Sequence, residues 1–282
     1  MFSLSVPDIP DRDILNRKDF AMKYTDLIFD LYGTLVDIHT DQTKEEVWEK
    51  TALYFGFQGA PYRPEELREE FNGLAQRAEE KLTASSVSGS FQSYECYPEL
   101  QIDLIFEELF RKKGIQENSS MLAVSAAHLF RIVSLEYIRL YPHVEDALAL
   151  LRRNGLRLWL LSNAQRVFTE SELRLLNLEG FFDGIYLSSD YNCRKPDKRF
   201  FRRLITEQSL DVNRSLMIGN DLTTDMGGAR KSGLPGFYIH SNLSPAEDDA
   251  RLSSSSGAPA EYFFEGTDWN QIAQKLLQIC RE

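Results

Sequence analysis

Short apolar runs recur along the chain at intervals that helices fill. Leu27–Leu31, Arg157–Leu161, Ile185–Leu187, Leu216–Ile218, Gly236–Ile239 and Tyr262–Phe264 each read as a strand of a few residues. Between most of them, apolar positions return at helical spacing. Val144–Arg153 leads to Gly155, Glu170–Leu176 follows a polar turn, Lys198–Glu207 follows Pro196, and Thr223–Lys231 stops at Gly233 with Pro235 just beyond. A last helix is expected at Trp269–Ile279, after a long surface loop at Asn242–Pro259. Strands alternating with helices predict parallel βαβ units and a sheet covered on both faces, so the fold class is α/β.

Residues from about 40 to 140 break the alternation. Thr43–Tyr54, Pro64–Lys81, Glu99–Lys113 and Met121–Leu140 all carry helical periodicity with aromatic and leucine stripes, and no strand pattern interrupts them. The Ser-rich TASSVSGSFQSYECYP joins the second to the third as a loop, and Tyr141-Pro142 marks the return to α/β alternation. The expected organisation is an α/β core from residues 24–38 and 141–282, an inserted all-α module at 39–140, and a polar N-terminal extension at 1–23 with a short helix at Asp11–Phe20. The aromatic stripes, Trp48 among them, are expected to form the module's own core, and Trp159 is expected to pack rather than bind.

Composition narrows the function. In 282 residues, 43% are hydrophobic and 27% charged, enough for a sizeable core. A net charge of −11 argues against a nucleic-acid surface or an anionic membrane, which need a basic stripe. An anionic small molecule would have to be met by a local Lys, Arg or metal ion. The cysteines, Cys96, Cys193 and Cys280, are far apart and odd in number, so they read as free thiols rather than a disulfide framework or zinc site. The N-terminus lacks the apolar core of a signal peptide, and no apolar run is long enough to span a membrane, so a soluble cytoplasmic protein is expected.

Open parallel sheets bind ligands outside the carboxyl ends of their strands. Asp30, Tyr32, Gly33 and Thr34 follow the first strand, and Ser162 and Asn163 follow the second. Lys195 follows the third, and Gly219, Asn220, Asp221 and Asp225 follow the fourth. A carboxylate can attack as a nucleophile and form a covalent intermediate, and Ser162 with nearby N–H groups can hold the oxygens of the reacting centre. Three acids converging on one Lys would strongly disfavour the charged form of at least one. A hard divalent cation resolves that crowding, and oxygen-only ligands favour Mg²⁺. Taken singly, each feature has a plainer reading: a strand-end turn for Asp30, a helix start for Lys-Pro-Asp, an N-cap for Asp221 and a first-turn acid for Asp225.

The assembled pattern resembles the haloacid dehalogenase superfamily, whose four motifs occur in order: FDLYGT with Asp30, Ser162, Lys195 in RKPD, and GNDLTTD with Asp221 and Asp225. The resemblance covers about residues 24–240. It implies a Rossmann-like core with Asp30 as nucleophile, Thr34 supporting its loop, Ser162 and Asn163 beside the transferring group and Lys195 screening charge. The inserted helices are similar in position to the superfamily's α-helical cap. Its phosphatases carry a second Asp two residues after the nucleophile as general acid, where this chain has Tyr32. An aromatic there resembles the 2-haloacid dehalogenase branch, in which halide leaves without a proton. The fourth motif keeps the acids, Asp221 and Asp225, that phosphatases use for Mg²⁺, with the Asp30 carboxylate and the Tyr32 carbonyl as further ligands. Mg²⁺-dependent hydrolysis of a small phosphorylated metabolite leads, with dehalogenase-type C–X hydrolysis and a catalytically impaired fold used for binding or regulation as alternatives. His39 is a candidate substitute acid or a hinge residue. Arg194 is a candidate anion contact or a solvated charge, and Arg230 is expected at the surface. Oligomeric state is not legible.

Overall fold

The structure is a computed structural model that describes residues 22–87, 97–253 and 260–282. The helix expected at Asp11–Phe20 and most of the Ser-rich connection lie outside the described residues. The chain enters through β1 (Asp26–Phe29), turns, and forms β2 (Val36–Thr40). Helices α1 (Glu45–Phe57), α2 (Pro64–Val87), α3 (Ile102–Lys112) and α4 (Ser119–Ser134) follow, and β3 (Leu135–Leu140) then returns antiparallel along β2. Next come α5 (Val144–Arg153), β4 (Arg157–Ser162), α6 (Arg166–Leu175), β5 (Gly184–Leu187), the short α7 (Ser188–Tyr191) and α8 (Lys198–Glu207). After β6 (Ser215–Gly219), a π-helical turn at Leu222–Met226 runs into α9 (Gly227–Ser232). The chain closes with β7 (Gly236–His240), α10 (Ala246–Ser253), β8 (Tyr262–Glu265) and α11 (Trp269–Arg281).

Six strands pair in parallel in the order β5-β4-β1-β6-β7-β8. The chain builds outward from β1 to β4 and β5, then crosses back to place β6 on the other side of β1. The topological switch point, where such sheets open a crevice, therefore lies between β1 and β6.

Period-two alternation sends neighbouring strand residues to opposite faces. Leu27 and Phe29 of β1 pack with Val144, Leu148 and Leu151 of α5 and with Trp269, Ile272 and Leu276 of α11. Ile28 between them packs on the other face with Phe200, Phe201 and Leu204 of α8 and Ala229 of α9. Each such side chain, fully buried, contributes about 1.5–3 kcal/mol. A separate cluster holds α1 to α4 together, with Phe55 stacked on Phe110 at 4.0 Å between ring centres. Trp48 packs edge-on against Phe71 and Phe130 in the same cluster. Phe168 of α6 also belongs to it, so the helical layer seats its apolar face on a helix of the sheet domain.

The sequence pattern misassigns two segments. Met121–Leu140 is not one helix: α4 stops at Ser134, and Leu135–Leu140 is β3. Leu135 and Ile138 keep a helical spacing, but Ile138 and Leu140 alternate as a strand does, and pairing with Val36–Thr40, with a register shift near Thr40, decides for the strand. The loop expected at Asn242–Pro259 contains α10, whose acidic first turn, Glu247 to Asp249, complements the helix dipole. Among the described residues, no helix is long and apolar enough to cross a membrane.

Candidate active site

Asp30 follows β1 directly, its backbone N–H held at 2.9 Å by the Ile218 carbonyl of β6. The chain then reverses at Gly33, whose φ is +82°. A Cβ there would fall 2.3 Å from Asn220 Nδ2, so both the turn and the close approach require glycine. Thr34 is fully buried and donates to Asn220 Oδ1 at 3.2 Å, while Trp269 Nε1 donates to the Thr34 carbonyl at 3.0 Å. Thr34 thus joins the loop after β1 to the loop after β6 from behind.

The other strand ends converge on Asp30. Ser162 ends β4, and its hydroxyl donates to Asp30 Oδ1 at 3.0 Å. Lys195 reaches the same oxygen at 2.6 Å and the Leu161 carbonyl at 2.8 Å, and lies 2.7 Å from Asp225 Oδ1. It is only 2% exposed. Asn163 brackets it: the Lys195 N–H donates to Asn163 Oδ1 at 2.7 Å, and Asn163 Nδ2 donates to the Lys195 carbonyl at 3.0 Å. Asp225 Oδ2 accepts from the N–H groups of Asn220 and Asp221, each at 3.1 Å. Asp221 Oδ1 caps the π-helical turn by accepting from the N–H groups of Thr223 and Thr224 at 2.7 and 2.8 Å.

Asp30, Tyr32, Ser162, Asn163, Lys195, Asp221 and Asp225 all line one cavity of about 220 Å³. That is below the ~300–1,000 Å³ of pockets for drug-sized ligands and suits a small one. One ammonium therefore faces three carboxylates. Burial pushes Asp225 up to about 7, with Lys195 pulling it back and the charges of Asp30 and Asp221 adding to the rise. Burial works against the charge of Lys195, but Asp225 and Asp30 outweigh it and hold its pKa above the ordinary value.

The donor set fits a hard cation. Oδ1 of Asp30 and Oδ1 of Asp221 are taken, whereas no hydrogen bond from a described residue reaches Oδ2 of either. Asp225 has Oδ2 on backbone N–H groups, and its buried Oδ1 is ion-paired with Lys195 at 2.7 Å but accepts no hydrogen bond from a described residue. Among the described residues, no group of three or more His, Cys, Asp or Glu forms a ready metal cage. Two carboxylate oxygens with a backbone carbonyl match Mg²⁺, which keeps several waters and takes few protein ligands.

Tyr32 lines the cavity, yet its hydroxyl is engaged elsewhere. It donates to Glu172 Oε2 of α6 and shares a 2.9 Å hydrogen bond with Thr169 Oγ1. Glu172 Oε1 in turn accepts from Arg131 Nε of α4 at 2.6 Å. Arg131 and Glu172 are 14% and 8% exposed at their side chains, so this ion pair, which joins the helical layer to the sheet domain, is nearly dry. Burial and the Glu172 charge push the Tyr32 hydroxyl well above its usual range, and Arg131 opposes only part of that.

A second network supports the cavity rim. Asp37 of β2, 4% exposed, accepts from Tyr137 at 3.2 Å, from Arg139 at 2.9 and 2.7 Å and from Asn242 Nδ2 at 3.0 Å. Asn242 precedes Leu243 and Pro245, which line the cavity. Asp248 of α10 accepts from the Leu222 N–H at 2.9 Å and buttresses the turn that carries Asp221 and Asp225.

The remaining candidates lie elsewhere. His39 stacks on Tyr137 and sits 3.5 Å from Glu136 on the half-exposed β2–β3 ribbon. Arg194 lines a different cavity, beside Gln76, Glu79 and Glu80 of α2. Arg230 is exposed on α9. Trp159 is buried in the sheet domain, with Nε1 on Asp26 Oδ1 at 2.8 Å. Glu172, Arg131, Thr169 and Asp248 carry no motif, and Asn220 sat unused inside GNDLTTD. Only the Asn220 signal was present in the sequence.

A family profile described as haloacid dehalogenase-like hydrolase matches residues 27–233. Glyceraldehyde 3-phosphate phosphatase from Methanothermobacter thermautotrophicus is 27% identical over 133 residues, 47% of this chain and 59% of that protein. (S)-2-haloacid dehalogenase from Pseudomonas sp. (strain YL) is 32% identical over 107 residues, 37% of this chain and 45% of that protein. The chain thus spans about half the length of the curated relatives it matches. A solved 2-haloacid dehalogenase from Pseudomonas syringae pv. Tomato superposes with a TM-score of 0.56 at 17% identity, covering 90% of this chain and 99% of the other, which is a likeness of fold.

Proposed function

The chain belongs to the haloacid dehalogenase-like hydrolases, and on that premise we propose that it hydrolyses a small phosphorylated metabolite with Mg²⁺ as cofactor and Asp30 as nucleophile. The observation that carries this reading is the charge imbalance at the switch point: Asp30, Asp221 and Asp225 share one cavity with a single cation, Lys195. Oδ2 of Asp30, Oδ2 of Asp221 and the Tyr32 carbonyl would hold the ion. When bound, it supplies positive charge that an anionic phosphate needs in an otherwise acidic site.

The chain's own residues do the rest. Lys195 and Ser162 both donate to Oδ1 of Asp30, which fixes the carboxylate and leaves Oδ2 turned to other partners. Ser162 and Asn163 line the cavity beside the transferring group, and Thr34 holds the nucleophile loop against Asn220. Attack by Asp30 on phosphorus forms an aspartyl phosphate, a mixed anhydride, as the bond from phosphorus to the leaving oxygen breaks and that oxygen departs with its electron pair. Water then splits the anhydride to inorganic phosphate and the Asp30 carboxylate. In this reading residues 39–140 are a cap over the core formed by 24–38 and 141–282, and the partner is an anionic small molecule. The glyceraldehyde 3-phosphate phosphatase relative supports the substrate class.

One observation favours a second reading. Tyr32 stands where a phosphatase acid would stand, and a haloacid dehalogenase is among the relatives. A dehalogenase must accept a substrate carboxylate and a departing halide, and the acids at 221 and 225 oppose both. Phosphate and halide release, each measured with Mg²⁺ and with EDTA, separate the two. Mg²⁺-dependent phosphate release is expected, and halide release that survives chelation would sink the phosphatase reading.

A further inference from the structure

The phosphatase reading leaves open which phosphates the site turns over, and the surroundings of residue 32 bear on that choice. A phosphate ester of an ordinary alcohol leaves as a strongly basic alkoxide unless a proton meets it in the transition state. The proton must come from a group within hydrogen-bond reach of the leaving oxygen. Tyr32 does not offer one: its proton is given to Glu172 Oε2, its oxygen is shared with Thr169, and Arg131 locks Glu172 from the far side. Of the other titratable groups lining the cavity among the described residues, Asp30 is the nucleophile, and Asp221 caps the π-helical turn through Oδ1 while its Oδ2 would hold the cation. Lys195 is spent on Asp30, Asp225 and the Leu161 carbonyl. Asp225 Oδ2 accepts from two backbone N–H groups, and its Oδ1 lies buried 2.7 Å from the Lys195 ammonium as an ion pair. The hydroxyls of Ser162 and Thr224 are far weaker acids than the carboxylic acid they would replace.

We infer that the preferred substrates carry the phosphoryl group on an oxygen that leaves as a stable anion: acyl phosphates, phosphoanhydrides, and aryl or enol phosphates, ahead of alkyl phosphate esters. The inference rests on the phosphatase reading of the same cavity. The step balances without an acid. An Asp30 oxygen forms its bond to phosphorus as the bond from phosphorus to the leaving oxygen breaks. That oxygen keeps the electron pair and departs as carboxylate, phosphate, phenolate or enolate. Water then splits the aspartyl phosphate, returning the Asp30 carboxylate and inorganic phosphate. The Tyr32–Glu172–Arg131 chain is what distinguishes this site from one that has merely lost an acid, because it holds the residue 32 side chain away from the leaving oxygen.

The test compares kcat/KM of the full chain with Mg²⁺ across acetyl phosphate, a graded series of aryl phosphates from para-nitrophenyl to para-methylphenyl, and glycerol phosphate. The expected result is a steep fall through the aryl series and at least about 10²-fold lower turnover of glycerol phosphate, the lower end of what general acid catalysis contributes. Tyr32→Asp combined with Glu172→Gln restores an acid at position 32 without a second charge beside it. It is expected to narrow the gap between aryl and alkyl substrates about tenfold or more, toward the range that an acid supplies. A flat aryl series, or glycerol phosphate turned over as well as para-nitrophenyl phosphate, overturns this inference and leaves the phosphatase reading standing. No phosphate release from any member overturns both. Should the double variant fail to fold, the wild-type series still decides.

Discussion

Lys195 Nζ lies 2.6 Å from Asp30 Oδ1, and the same ammonium lies 2.7 Å from Asp225 Oδ1. One buried cation thus ties the loop after β1 to the turn after β6 across the switch point of the sheet. Removing it strands two carboxylates in a dry environment. Lys195→Met is expected to destabilise the fold by about 3–5 kcal/mol, the range for breaking a buried ion pair by deleting one partner. The urea midpoint at neutral pH reads this out, and a loss below about 1 kcal/mol, the scale of exposed pairs, would contradict it.

The Arg131–Glu172 pair supports a different junction, that between the helical layer and the sheet domain. Arg131→Met leaves Glu172 buried with only Tyr32 to satisfy it and is expected to cost about 3–5 kcal/mol. Arg131→Met combined with Glu172→Leu removes both charges and is expected to recover most of that loss. A double-mutant cycle in urea checks the coupling, and additive losses would show that the pair does not act as a unit.

Asp37 predicts a pH dependence. Burial disfavours its charged form, but hydrogen bonds from Asn242, Arg139 and Tyr137 and the Arg139 charge outweigh burial and hold its pKa below the ordinary value. A carboxylate depressed in the folded state contributes stability above its unfolded pKa of ~3.9, and that contribution is lost as pH falls through the folded value. Asp37→Asn is therefore expected to lower stability at neutral pH, with the gap to wild type closing below about pH 4. Urea midpoints across that range are the measurement, and a gap independent of pH would contradict the assignment.

Much of the candidate site was legible because most of it follows strand ends directly; Lys195 arrives after β5 by way of the short α7. The runs at Leu27–Leu31 and Leu216–Ile218 form the central strands β1 and β6, and the acids just beyond them face one cavity. The Arg131–Glu172–Tyr32 chain was not legible. Helical periodicity identifies the face of α6 that is covered, but not that a glutamate on it meets an arginine from α4, 41 residues earlier. The β2–β3 ribbon was hidden for a related reason. Leu135 and Ile138 satisfy a helical spacing as well as a strand pairing, and only contact with Val36–Thr40, about a hundred residues away, resolves the ambiguity. Asp248 escaped because a short acidic stretch after Pro245 has the composition of a loop, although its carboxylate anchors the turn that presents Asp221.

The most direct measurement is the chemical state of Asp30 during turnover. A reaction on acetyl phosphate, quenched within a few turnovers and digested, is expected to show one phosphoryl group on the peptide containing Asp30. The adduct should appear with Mg²⁺, vanish with EDTA and be absent from Asp30→Asn. Phosphate release with no adduct on Asp30, or an organic ester on Asp30 formed from a haloacid without metal, would contradict the account.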